Sequence, residues 1–345
     1  MKLGAKAATY GLAGLALAGA VIFSGSALGL LGTDSSGALS ILLTDPPAVP
    51  AGVTGVYITY SGLAVHAAGF GSSGWVSISG HGTFDSMKLV NLSQTISSDT
   101  VPSITYDEME FTITAATVEF MGQNHSATIS SGRLNVPIIG DLNVNSTSPA
   151  AALVDVQPTV INLGIPSNPS FTLVVGAKAL QVPSREVDQL SKGLGQNTSL
   201  EGHGWFTSFK ANYSDNLSSS AAALTYGSFS ITVLNSGRNP ITVCMFVVAT
   251  HANGGEDSAL SAGADSIVFV AQPNGSLQLL NGPPGQVQSY LEGPGYTLAG
   301  GSSYEFSYSG NITSLNGGYT PAAGASYYVV IVGAGTISAQ VVTAT

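Results

Sequence analysis

The sequence predicts an all-β chain, with two antiparallel β-sandwich domains behind an N-terminal signal or anchor segment. Three observations carry this. Short apolar and β-branched runs alternate with polar residues, as in Thr112-Ile-Thr-Ala-Ala-Thr-Val-Glu-Phe120. A half-buried antiparallel sheet needs that period of two. Gly, Pro, Asn and Ser separate the runs at short intervals, as turns between strands require. Charged residues are only 8% of the 345, against roughly 25% in ordinary domains. Long helices and coiled coils are therefore disfavoured, because both rely on Glu, Lys and Arg. Hydrophobic residues at 44% supply a sizeable core and exclude the composition of a disordered chain.

The first element is residues 1–33, a signal peptide or membrane anchor. Lys2 and Lys6 precede Ala7 to Leu31, a stretch without a charge, which is the pattern of a secretory signal. Gly25, Ala27 and Gly29 offer cleavage points. A stretch of this length also suffices to span a bilayer as a retained anchor. Lys6-Ala7 before an apolar stretch resembles the processing site of archaeal type IV pilin-like precursors. Each alternative places the rest of the chain outside, extracellular or at the cell surface. No second apolar run is long enough to suggest a C-terminal span.

The first sandwich is expected over 37–214. Its strands read as Ala38 to Leu43, Gly55 to Tyr60, Trp75 to Ile78, Glu108 to Phe120, Ser126 to Ile129 and Phe171 to Val175. A short helix near 185–192 follows Pro183 and a capping Ser184. Val187 and Leu190 face inward and Gly193 stops it. Residues 215–224, small and polar, read as a linker. The second, immunoglobulin-like sandwich is expected over 225–345. Its strands are Ser228 to Leu234, Ile241 to Ala249, Ser266 to Val270, Ser303 to Tyr308 and Tyr327 to Val332.

Leu39-Ser-Ile-Leu-Leu-Thr-Asp-Pro-Pro47, Val56 to His66, Gly74-Trp75-Val76, Phe84 to Leu89 and Ile104 to Phe111 occur in that order. In this the first part resembles an uncharacterised family of secreted bacterial and archaeal domains that opens on a Thr-Asp-Ala/Pro-Pro turn. The family usually has a Gly-Thr-Tyr strand where this chain has Ile104-Thr-Tyr106, without the Gly. The resemblance implies an antiparallel sandwich and brings no catalytic residues. Gly227 to Gly237, Asn239-Pro-Ile-Thr-Val243 and the last strand are similar to the C-terminal β-domains of archaeal surface-filament and cell-envelope proteins.

Charge and cysteine content exclude several functions. Net charge is −10, from 19 acids and 9 bases. Lys2 and Lys6 lie in the leader, and the few remaining bases cannot build a phosphate-binding surface, so nucleic acid is not a partner. Cys244 is the one cysteine. It allows no intramolecular disulfide and no Cys-based zinc site, and it reads as a core residue of a buried strand.

Candidate chemistry is thin. His66, His81, His125, His203 and His251 show no i, i+4 pair for a helical metal site. Gly80-His-Gly82 and Gly202-His-Gly204 match, each with an aromatic two residues on. In a Gly-rich chain this reads as coincidence before it reads as paired ligand loops. Glu108 and Glu110 share a strand face, roughly 7 Å apart. They are weak calcium candidates or an acid–base pair, set against the simpler reading of a solvated strand that resists edge pairing. Trp75 and Trp205 are candidates for stacking on sugars, set against ordinary sandwich packing. No cofactor is expected. Sequons occur at Asn91, Asn124, Asn145, Asn197, Asn212, Asn216, Asn274 and Asn311, eight of 17 asparagines. The Ser/Thr content predicts roughly four.

These readings point to a non-catalytic, secreted, glycosylated structural protein of an archaeal envelope or extracellular filament. The alternatives are a glycan-binding surface module and an acid-active secreted hydrolase. The expected partners are further copies or other envelope proteins, with a glycan under the second reading and a membrane only through an uncleaved N-terminus. The uncharged strands Ala38 to Leu43 and Tyr327 to Val332, read as sheet edges, suggest assembly by strand addition.

Overall fold

The computed structural model describes residues 35–44, 47–164, 167–213, 216–250, 260, 261, 263, 265–281 and 295–345. The expected leader, its cleavage points and His251 lie outside them. The described chain is nearly all β.

Eleven strands precede residue 214. They are β1 Ser36–Thr44, β2 Val53–Ala67, β3 Trp75–Ile78, β4 Gly82–Asp85, β5 Leu92–Pro102, β6 Thr105–Phe120, β7 Gln123–Ile129, β8 Arg133–Asn143, β9 Ala150–Asn162, β10 Phe171–Gln181 and β11 Asn197–Ser199. All belong to one sheet, ordered β11-β5-β1-β9-β10-β7-β6-β2-β3, with β4 on β2 and β8 bridging β10 and β6. The sheet curls until its ends approach each other. Ser79, after β3, donates its N–H to Asp99 of β5 at 2.7 Å, and Ser97 of β5 donates to the Ser79 carbonyl at 2.5 Å. One apolar core fills the curl, with Tyr106, Phe111, Phe120 and Phe171 among its large members.

The pairing is not purely antiparallel. β1 runs parallel to β9, and β10 runs parallel to β7 and β8. β9 explains why a parallel pair is tolerated, since parallel strands need cover on both faces. Ala150, Ala152, Val154 and Val156 face the main core. Ala151 and Leu153 face a second cluster made with Val187 and Leu190 of α1 (Val187–Leu190) and Phe206 and Phe209 of α2 (Gly204–Tyr213). The expected helix near 185–192 is present, as a 3-10 turn over Ser184–Glu186 running into α1.

α2 was not expected, although Phe206, Phe209 and Tyr213 carry its helical spacing. A buried charge cluster pins it. Asp155 of β9 is fully buried and receives Lys210 of α2 at 2.9 Å and the Gln157 amide at 2.8 Å. Lys178, opposite Asp155 in register, donates to the carbonyl of Tyr213, the last residue of the helix. A cation at that end also complements the helix dipole.

The later strands are β12 Leu217–Leu224, β13 Ser228–Asn235, β14 Ile241–Thr250, β15 Ile267–Ala271, β16 Leu277–Leu279, β17 Tyr296–Leu298, β18 Ser303–Ser309, β19 Ser326–Gly333 and β20 Thr336–Thr343. They form a sheet β12-β13-β18 and a sheet β16-β15-β14-β19-β20, with β17 on β14. Phe229, Phe246, Phe269 and Phe306 pack between the two, and Phe229 and Phe269 stack at 4.7 Å.

Two expectations need correction here. Most of the expected linker over 215–224 is a strand, because Leu217–Leu224 is β12, paired antiparallel with β13. Its Ser and Ala residues sit on a partly exposed strand whose ends, Leu217 and Leu224, are buried in the core. The strands expected to lie at sheet edges are interior. β1 pairs with both β5 and β9, and β19 with both β14 and β20. Both therefore have their main-chain groups satisfied within this chain, and neither is an edge available for strand addition.

The two sets of strands share a core. Ile161, Leu163 and Val174, on the outer side of β9 and β10, pack with Met245, Val247, Val268, Val270, Val330 and Val332 of β14, β15 and β19. The approach is tight at Gly176, where a Cβ would stand 2.4 Å from the Ala334 carbonyl carbon. Main-chain bonds join the same surfaces, from the Asn162 N–H to the Leu260 carbonyl at 2.8 Å and from the Gly263 N–H to the Asn162 carbonyl at 3.2 Å.

Replacing Asp155 by Ala removes the buried carboxylate and with it the ion pair to Lys210. We expect a loss of about 3 kcal/mol in urea unfolding, the scale for breaking one side of a buried pair. A loss under about 1 kcal/mol, the scale of a surface pair, would show that the cluster does not anchor α2.

Candidate functional site

Both tryptophans proposed as sugar platforms sit in clusters of the same composition: an indole, a histidine and a carboxylate. In the first, His66 at the end of β2 lies beside Trp75 of β3, with ring centroids 5.0 Å apart. Its Nδ1 is 2.7 Å from Asp107 Oδ1, and its Nε2 faces the Gly71 carbonyl. A carboxylate and a carbonyl can only accept, so this setting favours the protonated ring, in which both nitrogens donate. Burial opposes that charge. The hydrogen bonds to Asp107 and Gly71 and the charges of Asp107 and Glu108 outweigh it, and His66 titrates above its ordinary value.

In the second cluster, Glu186 Oε2 accepts from the Trp205 indole N–H at 2.7 Å and from His203 Nδ1. The Trp205 hydrogen bond, then the His203 bond and charge, hold the Glu186 carboxyl below its ordinary value against the opposing cost of burial. His203 directly precedes α2, and Glu186 lies in the 3-10 turn before α1, so the cluster ties the two helices together. Trp75 and Trp205 are both half-buried. Each is fixed within its own cluster, one on β3 and one on α2.

The matching Gly-His-Gly segments differ in setting, since His203 is in the helix cluster while His81 is exposed before β4. Glu108 and Glu110 lie on β6 as expected. Glu110 pairs with the exposed Arg133 at 3.4 Å. Burial raises Glu108 above the usual carboxylate range, with Asp107 and Glu110 adding to the shift and His66 opposing it. Among the described residues, no group of three or more His, Cys, Asp or Glu side chains gathers to hold a metal ion.

A cleft of about 800 Å³ lies between the two strand systems, walled by β8, the Val174–Lys178 stretch of β10 and the Asn239–Thr242 turn. Its ionisable lining groups are engaged. Glu110 pairs with Arg133, and Lys178 donates to the Tyr213 carbonyl. Burial pushes the Cys244 thiol up to about 12, so it stays protonated. These groups offer neither a ready nucleophile nor a free general base.

All eight sequon asparagines are exposed, and they are spread over both strand systems. The buried Asn162 and Asn235 carry no sequon and instead hold turns. Asn162 accepts from Gly164 and Ser170, and Asn235 donates to the Asn239 and Leu298 carbonyls. No protein-family model matches the chain, and no curated protein matches it.

His66 sets a direction for pH dependence. Its raised value adds stability that is fully present below about 6.5 and is lost as pH climbs through the folded-state value. Between about pH 6 and about pH 9, the melting temperature of the wild type should fall more steeply than that of His66→Gln. Parallel profiles would show that this imidazolium contributes nothing.

Proposed function

We propose that the chain is a non-catalytic structural protein of a cell surface or extracellular assembly, carrying N-linked glycans. The observation that supports this best is the exposure of all eight sequon asparagines on an all-β body. The body fits a load-bearing role, because a shared apolar cluster joins its two strand systems. The ionisable side chains in its cleft and in the two tryptophan clusters already have partners, which favours structure over catalysis. Trp75, half-buried against the His66 ring, supports a second reading, a surface module that binds glycan. That reading requires glycan binding to fall on Trp75→Ala or Trp205→Ala.

Fractionated envelopes and culture medium, imaged with an antibody to the chain, test the proposal. Regular assemblies labelled along their length are the expected result. Soluble chain confined to the cytoplasm would overturn it.

Among the described residues few ion pairs appear, and those joining strand to strand, His66–Asp107 and Glu110–Arg133, each have one exposed partner. The chain's circular dichroism should therefore survive acidification to about pH 3, where Asp and Glu titrate. Cooperative unfolding well above that pH would show that carboxylates such as Asp155 and Glu186 carry more of the stability than apolar burial does.

A further inference from the structure

The eight sequon amides are exposed alike but are held differently. At Asn145, between β8 and β9, the side-chain oxygen accepts from the Thr147 N–H at 3.0 Å and the Thr147 hydroxyl at 2.9 Å. It accepts also from the N–H and hydroxyl of Ser148, at 2.9 and 3.0 Å. At Asn274, on the β15–β16 hairpin, the side-chain oxygen accepts from the Ser276 N–H at 3.0 Å and its hydroxyl at 2.7 Å. In both, the hydroxyl two residues on, which defines the sequon, grips the amide oxygen. Neither amide nitrogen has an acceptor among the described residues.

Both turns are built into the fold. The Val144 N–H, just before Asn145, donates to the Ile104 carbonyl at 3.0 Å. Around Asn274, the Gly275 N–H donates to the Gln272 carbonyl at 2.8 Å and the Gln272 N–H to the Ser276 carbonyl at 2.9 Å. Gly275 takes φ of +83°, the left-handed conformation that glycine adopts without cost.

Regular structure sets three of the other six sequons apart. Asn124 and Ser126 lie on β7, and Asn197 and Ser199 on β11. On a strand, residues two apart share a face with their backbones roughly 7 Å apart. The long Gln157 side chain spans that gap to Asp155, whereas no hydrogen bond joins Asn124 to Ser126 or Asn197 to Ser199 among the described residues. Asn212 lies in α2, where residues two apart do not face each other. Its amide nitrogen is already committed to the Ser208 carbonyl at 2.8 Å.

We propose that Asn145 and Asn274 are amides the folded protein presents for N-glycan transfer, in preference to Asn124, Asn197 and Asn212, which regular structure withholds. This rests on the reading of the chain as an exported glycoprotein. The donor class is an oligosaccharide linked to a polyprenyl phosphate or pyrophosphate. The amide nitrogen forms a bond to the sugar C1, the C1–oxygen bond to phosphate breaks, and the phosphate leaves with the electron pair. The amide proton passes to a base of the transferase. The N–H and hydroxyl grips polarise each amide through its oxygen, on residues that are exposed.

Two measurements test it. Glycopeptides of the native protein, cut with chymotrypsin because basic residues are sparse, should show several-fold higher occupancy at Asn145 and Asn274 than at the strand and helix sites. Equal occupancy would overturn the inference while leaving the glycoprotein reading intact. A native chain with no glycan would overturn that reading instead. The geometry is then decided by incubating folded and urea-unfolded chain with an oligosaccharyltransferase and a lipid-linked oligosaccharide. Modification of Asn145 and Asn274 that passes over Asn124, Asn197 and Asn212 only in the folded sample supports the inference. The same pattern of sites in both samples overturns it.

Discussion

The fold depends on strands that are buried on both faces. In β14, Phe246 and Val248 point into the core against β13 and β18, while Met245 and Val247 point into the cluster shared with β9 and β10. β15 and β19 repeat this, with Phe269 and Val329 on one side and Val268, Val270, Val330 and Val332 on the other. Such a strand has no wet face, so its sequence loses alternation and becomes a continuous apolar run. Ile241 to Val248 and Tyr327 to Val332 are those runs. Leaving either face in water would expose a row of large apolar side chains, so the two strand systems cannot separate without a cost on the scale of a domain core.

The charges follow from the same constraint. With so much surface buried between sheets, several of the ion pairs sit where a helix or loop meets the sheet. Asp155 with Lys210 fastens α2, Glu186 with His203 links the helices, and Asp107 with His66 holds the loop before Trp75. Their pH responses oppose one another. His66 stabilises most at low pH. The depressed Glu186 stabilises above its ordinary carboxylate value and loses that contribution as pH falls through the lower folded-state value. Stability from these two latches changes little between about pH 4.5 and about pH 6.5, where both contributions are fully present; the Glu186 contribution is lost below that window and the His66 contribution above it.

The all-β class was legible in the sequence because alternation and turn residues are local signals. The eleven expected runs all fall within strands, give or take an end residue. β9 escaped because Ala150 to Val156 is apolar on both faces, with only Asp155 to break the run, and because Pro158 argues against a central strand. Pro158 is accommodated because the ladder to β1 ends at Thr44 and Asp155, before the proline. β12 was misread because Ser and Ala can form an exposed strand as readily as a linker, and only its pairing with β13 decides. The interior positions of β1 and β19 come from non-local pairings that no local pattern encodes. Of the site, the sequons and the tryptophans were readable. The partners His66–Asp107 and Glu186–Trp205 are 41 and 19 residues apart and are brought together only by the fold.

Chemistry in this chain is therefore left to its turns. A strand buried on both faces fixes every side chain, and a paired strand spends its main-chain groups on its neighbours. Only where the chain reverses are a side-chain amide and a hydroxyl two residues on free to meet, as Asn145 with Thr147 and Asn274 with Ser276 do. Regular structure supplies the rigidity, and the breaks in it supply the groups that a partner or a modifying enzyme can reach. The abundance of Gly and Ser, first visible as composition, has its physical role here. It buys many short turns in a body whose sheets offer almost nothing else to react.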